Sequence, residues 1–179
     1  VHGSQTYKHE GGRVEILETP RLQKWRARFG HFAMFPELQR HLAAAFALHE
    51  QANHGEGFDA VEVTVWGLLF LPWVIEARTR VLVQLHGSTG QIALHEPIAG
   101  REAEGTLALL LEKVALGAAP GLSSNSRVNA RWWEGVLGRS VDYLPPPLRL
   151  QPAHRDGQML GTNWLTAGRI QHWKGTQVA

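Results

Sequence analysis

A chain of 179 residues with 18 Lys and Arg against 16 Asp and Glu carries a formal charge of only +2, which gives no basic stripe of the kind that binds nucleic acid. Its 44% apolar content and seven Trp suffice for one buried core and exclude a disordered chain. With no Cys there is no disulfide, no thiolate nucleophile and no zinc-thiolate site, so His, carboxylates, cations and backbone groups must carry any chemistry.

The first apolar run, Arg13-Val14-Glu15-Ile16-Leu17, reads as a strand. From Pro20 to Phe35 the chain is rich in Arg and aromatics: Leu22, Trp25, Phe29 and Phe32 recur at helical spacing with Arg21, Lys24, Arg26 and Arg28 between them. Such a stripe fits either an anionic membrane surface or a core edge covered by Arg stems. Pro36 suits the first residue of a helix running to about Ala52, with Leu38, Leu42, Ala45, Phe46 and His49 on one stripe. A Gly-rich turn at 55–57 leads into a strand, Phe58 to Val65, that ends at Trp66-Gly67.

A second strand, Arg80 to Leu85, ends in His86-Gly87-Ser88. Arg101 to Gly117 reads as a helix with Leu107, Leu110, Leu111, Val114 and Ala115 as its buried face. Gly121 to Ser124 is a short strand, and Asn125 or Ser126 caps a helix through Val136 that lays Trp132, Trp133 and Val136 on the sheet and stops at Gly138. Val141 to Leu144 is the last strand before Pro145-Pro146-Pro147. The alternation predicts an α/β protein with a Rossmann-like, mostly parallel sheet and helices on both faces. The Pro- and Gly-rich stretch that follows divides the chain into a domain at 1–147, a linker at 148–161 and the opening of a second domain at 162–179.

Ligands of open parallel sheets collect at the carboxyl ends of the strands, which directs attention to Trp66, Gly67, His86, Gly87 and Ser88 as one cleft. His86 is the leading catalytic candidate, because a neutral imidazole there can hydrogen-bond a ligand hydroxyl, while Gly87 opens the backbone to the same ligand. In the second domain the apolar run Trp164 to Ala167 ends in Gly168-Arg169, and Lys174-Gly175 follows five residues after the Arg. A guanidinium fork, a mobile ammonium and bare backbone around one strand-to-helix turn suit phosphate oxygens. No metal set is legible: His49-Glu50 and His95-Glu96 each lack the second His of a metalloprotease helix.

The order of these motifs, an Asp-opened strand, a strand ending in Leu85-His86-Gly87, a strand ending in Ser before a helix, and the Arg169/Lys174 turn, resembles GT-B glycosyltransferases of the GT4 family over roughly residues 58–179. The resemblance implies an acceptor-side domain lacking its first strand, loop and helix, followed by the start of the donor-nucleotide domain, hence an internal piece of a larger enzyme that does not turn over alone. It implies a nucleotide-sugar donor whose diphosphate meets Arg169 and Lys174, and a sugar or lipid-linked acceptor. It also implies His86 beside the transferred sugar, retention of configuration, and no metal or other cofactor. The location expected is cytoplasmic, with membrane contact through 21–35 as the alternative to simple packing there. A non-catalytic nucleotide- or sugar-binding module of the same fold is the second reading. An α/β-hydrolase ranks lower, since Gly121-Leu122-Ser123-Ser124-Asn125 lacks the closing Gly of a nucleophile elbow.

Overall fold

The computed structural model describes residues 6–9, 11–96 and 99–146. The linker at 148–161 and the segment 162–179, with Arg169 and Lys174, lie outside the described residues. The first elements are β1 (Thr6–His9) and β2 (Gly12–Glu15), which pair antiparallel as a two-stranded sheet of their own. The expected strand at 13–17 is therefore one arm of a hairpin and no member of the main sheet. The missed signal is Gly11-Gly12: Gly11 stands at φ 83°, a left-handed turn conformation that Gly adopts without steric cost.

The amphipathic segments then form α1 (Thr19–Arg28) and α2 (Pro36–Gln51), each with a Pro in its first turn. The aromatic stripe of α1 faces α2: Trp25 lies 5.1 Å and Phe29 5.3 Å from Phe46, ring centre to ring centre. Glu50 pins the pair from the other helix by accepting from Arg21 Nη1 at 3.0 Å, Lys24 Nζ at 3.0 Å and Trp25 Nε1 at 2.6 Å. The Lys24 hydrogen bond foremost, with Trp25 and Arg21, holds its carboxyl below the usual range. Of the two uses open to this stripe, packing is the one its rings are engaged in.

Four strands build the main sheet in sequence order: β3 (Ala60–Thr64), β4 (Arg80–Leu85), β5 (Gly121–Ser124) and β6 (Asp142–Tyr143), all parallel. Parallel neighbours need crossovers, and these are α3 (Leu71–Glu76), the pair α4 (Thr89–His95) and α5 (Glu102–Ala118), and α6 (Arg127–Leu137). The expected α/β, Rossmann-like class is what forms. These helices flank the sheet, and the burial of β4 alternates with the period of a strand: Val81, Val83 and Leu85 are buried, Leu82 and Gln84 half-buried. Those inward residues meet Leu42, Phe70, Leu116 and the fully buried Trp133 in one core.

Helix α6 follows its sequence signals, with Ser126 Oγ accepting from Asn129 N and Gly138 ending it at φ 65°. Helix α5 does so only in part. Its buried stripe is Glu104, Ala108, Glu112, Ala115 and Leu116, whereas Leu110 and Val114 are 55% and 67% exposed. The face turns because two glutamates cap neighbouring helices from inside the protein. Glu104 Oε1 accepts from Leu38 N at 2.7 Å at the start of α2, and Glu112 accepts from Gly90 N at 3.0 Å at the start of α4. Both serve orphan amides at a positive helix end; of the apolar face expected, Ala115 is buried and Leu107 and Leu111 pack partly buried against the core, while Leu110 and Val114 give way to the two glutamates.

Candidate functional site

At the carboxyl ends of β3 and β4 the chain leaves the sheet through a 3₁₀ turn, Trp66–Leu68, and through the loop into α4. The two exits are tied together by Gly67 N donating to Thr89 Oγ1 at 3.2 Å. Between them and the first turns of α2 and α5 lies a cleft of about 220 Å³. Leu38, Ile92, Ala93 and Ala108 give it apolar walls, Trp66 stands at its mouth, and Glu37, Arg40, His41, Glu96, Arg101 and Glu104 supply polar groups. Few polar groups converging on an apolar hollow are what a small-molecule site needs.

The local geometry explains why these groups meet. Gly67 holds φ 63°, and a Cβ there would stand 3.0 Å from His41 Nδ1, so only a glycine lets the β3 exit close over α2. Trp66 is 48% exposed and meets the His41 ring edge-on at 6.5 Å, leaving an aromatic surface for a ligand. His41 itself is buried, and that burial, helped by the Arg40 guanidinium, pushes its pKa down against the opposing pull of Glu37 and Glu104. A neutral imidazole results at pH 7, with one donor and one acceptor nitrogen. Arg40 also bonds Glu37 through Nε at 3.0 Å and Nη2 at 2.6 Å, which holds the Glu37 carboxyl below its usual range. The mouth thus offers a carboxylate and a guanidinium already aligned, beside an aromatic plane.

Of the residues expected at one edge, Trp66 lines the cleft and Gly67 shapes it. His86 and Gly87 are not among its lining residues. His86 follows Gln84 in strand alternation and shares a hydrogen bond with it, Nε2 to Oε1 at 2.9 Å, which turns the imidazole away from the face that carries Leu85. Ser88 is fully buried: its hydroxyl donates to Glu112 Oε2 at 2.6 Å and accepts from Gln91 N at 3.0 Å, so it serves as the cap of α4. Asn129 locks the same region by donating to Leu85 O at 3.0 Å and His86 O at 3.2 Å. Arg169 and Lys174 lie outside the described residues.

The sequence reading missed His41, Glu37, Arg40, Arg101 and Glu104. A signal existed for the first: His41 sits three after Leu38 and four before Ala45, on the apolar stripe of α2. The i,i+3 spacing of Glu37 and Arg40 on that helix marked them as a pair, but nothing in the sequence brought Arg101 and Glu104 to them, because α5 reaches the start of α2 across 66 positions. Comparison of the chain with protein-family models, curated proteins and solved structures finds no match.

Proposed function

We propose that the chain is the acceptor-side part of a nucleotide-sugar glycosyltransferase of GT-B type, and that the cleft beside Trp66 holds the acceptor sugar. The observation that carries this reading is the cleft's size and lining. About 220 Å³ falls below the roughly 300 Å³ at which sites for drug-sized ligands begin, so the cleft suits one sugar ring better than a nucleotide. A sugar offers an apolar C–H face and a rim of hydroxyls. Trp66 meets the first, and Glu37, Arg40 and Arg101 meet the second.

In this reading His41, and not His86, stands where the acceptor hydroxyl enters, and its neutral ring can accept that hydroxyl's proton. Arg169 and Lys174, by the resemblance to GT4 enzymes, neutralise the departing diphosphate as its charge grows. The chemistry needs no metal or other cofactor in that scheme, and a cytoplasmic location goes with it. No helix among the described residues is long and apolar enough to cross a membrane. Peripheral contact, with a lipid-linked acceptor for example, would fall to the exposed Arg26 and Arg28, since the rings of α1 are occupied by α2.

Acceptor binding should not require the donor half, so it is expected of the 179-residue chain itself. Titration with a panel of mono- and disaccharides, followed by amide chemical shifts, should move Trp66, Gly67 and Thr89. Trp66→Ala should weaken the best ligand about tenfold, the worth of one aromatic contact of about 1.5 kcal/mol. A panel that shifts none of these amides, or binding indifferent to Trp66→Ala, would remove the proposal. A non-catalytic sugar-binding module uses the same cleft and differs in one respect: a polypeptide carrying both halves transfers no sugar from UDP-, GDP- or ADP-sugars.

A further inference from the structure

The other end of the sheet carries a group of side chains that the cleft does not use. Past the last turn of α2 the chain bends through a 3₁₀ turn, Asn53–Gly55, in which Asn53 and His54 both adopt left-handed backbone, φ 50° and 54°. Two successive non-glycine residues in that region cost about 1 kcal/mol or more each unless the surroundings fix them. Here Gly55 fixes them: it is buried at φ 84° with no room for a Cβ against Thr79, whose hydroxyl donates to Gly55 O at 3.2 Å. The bend turns the His54 ring back over His49, edge to face at 4.8 Å.

Glu76, the last residue of α3, closes the group. His54 Nδ1 lies 3.3 Å from Glu76 Oε1 and 3.0 Å from Oε2, and His49 Nδ1 lies 3.6 Å from Oε1. One ligand atom from each of the three residues falls within 4.8 Å of the others. A tetrahedral ion with bonds of 2.0–2.1 Å has its ligand atoms roughly 3.4 Å apart, so the two carboxylate–imidazole spacings already match and only the two rings must draw closer. His54, one third exposed, is the member with room to turn. Arg78 Nε holds Glu76 Oε2 at 3.3 Å, and Oε1 is the oxygen within reach of both imidazoles, 3.6 Å from His49 Nδ1 and 3.3 Å from His54 Nδ1, although His54 lies closer still to Oε2. Trp73 packs edge-on against His49 at 4.5 Å and shields it.

We infer that His49, His54 and Glu76 form a binding site for a borderline divalent cation such as Zn²⁺, with water in the fourth position. Two imidazoles and a carboxylate favour that class over Ca²⁺ or Mg²⁺, which take oxygen ligands. The site stands where α2 turns toward β3 and where α3 turns toward β4, at the amino ends of the strands, opposite the cleft. An ion there would clip two strand entries together and take no part in the cleft's chemistry.

Titration of chelator-treated chain with ZnCl₂ in a calorimeter tests this, with Co²⁺ absorption as the geometric readout. One Zn²⁺ per chain is expected, together with a rise in thermal midpoint and the intense visible bands of four-coordinate Co²⁺. His54→Asn keeps a residue tolerant of left-handed backbone and should weaken Zn²⁺ at least tenfold while the apo protein stays folded. Glu76→Gln should do the same, and His95→Ala, on exposed α4 surface, should change nothing. Absence of stoichiometric binding, a pale six-coordinate Co²⁺ spectrum, or affinity unaltered in both ligand variants would overturn the site and leave a His–Glu–His hydrogen-bond cluster.

Discussion

Between pH 4.5 and about 7 the folded chain is expected to lose about 3 kcal/mol of stability through one side chain, Glu112. The residue is fully buried on α5, and that desolvation pushes its pKa up from 4.5 to about 7 despite hydrogen bonds from Ser88, Gly90 and Thr89 that favour the anion. The unfolded chain releases this proton near pH 4.5, the folded chain only near 7. Within that window the native state binds more protons, so its stability falls as pH rises and levels off above the native pKa. The ordinary carboxylates Glu37 and Glu50, whose pKa values are lowered, act the other way and lose their contribution as pH falls. So do His41 and His49, whose lowered pKa values make stability rise with pH up to about 6.5.

Because these terms overlap, the decisive quantity is a difference. Glu112→Gln removes the titration but keeps an oxygen that can accept from Ser88 Oγ or Gly90 N. Urea denaturation of both proteins at pH 5 and pH 8 should show the wild type losing about 2.5 kcal/mol relative to the variant. Equal pH dependence in the two would mean that water reaches Glu112 and that its burial does not set its proton affinity.

Glu112 also marks how far the sequence could be read. The parallel order of β3 to β6, the Pro start of α2 and both ends of α6 came from local signals, caps, breakers and periodicity, that act within a few residues. The two glutamates on the buried face of α5 could not come that way. A glutamate at positions 104 and 112 looks solvated until another helix presents bare amides to it, and that pairing spans 22 positions for Gly90 and 66 for Leu38. The short helices α3 and α4 were missed for a related reason: six and seven residues give too few turns for a period to show. The cleft was legible as an edge, since strand ends are predictable. It was not legible as a set of residues, since most of its polar groups come from helix starts that only packing brings together.

The junction of α4 with α5 should be the least tolerant place in the chain for added volume. Helix α4 is seated on α5 by two glycines: a Cβ on Gly90 would meet Leu109 N at 2.5 Å, and one on Gly105 would meet Ala93 Cβ at 2.5 Å. The first obstacle is backbone, which cannot swing aside as a long side chain can. Gly90→Ala is therefore expected to cost about 3 kcal/mol, the upper end of overpacking penalties. Gly117→Ala, on the same α5 but facing open space, should gain about 0.5 kcal/mol from helix propensity. The contrast separates crowding from any general effect of alanine in these helices.

Two further consequences make this prediction sharper than a stability loss alone. Gly90 N is a donor to Glu112, so prying α4 from α5 should admit water to the carboxyl and shrink the pH dependence of the Gly90→Ala protein. The same helices give the cleft Thr89, Ile92, Ala93, Gly105 and Ala108, so saccharide binding should weaken with it. Wild-type stability in Gly90→Ala would show that α4 shifts on α5 without cost, and a junction that loose could not hold the cleft walls in register for a sugar.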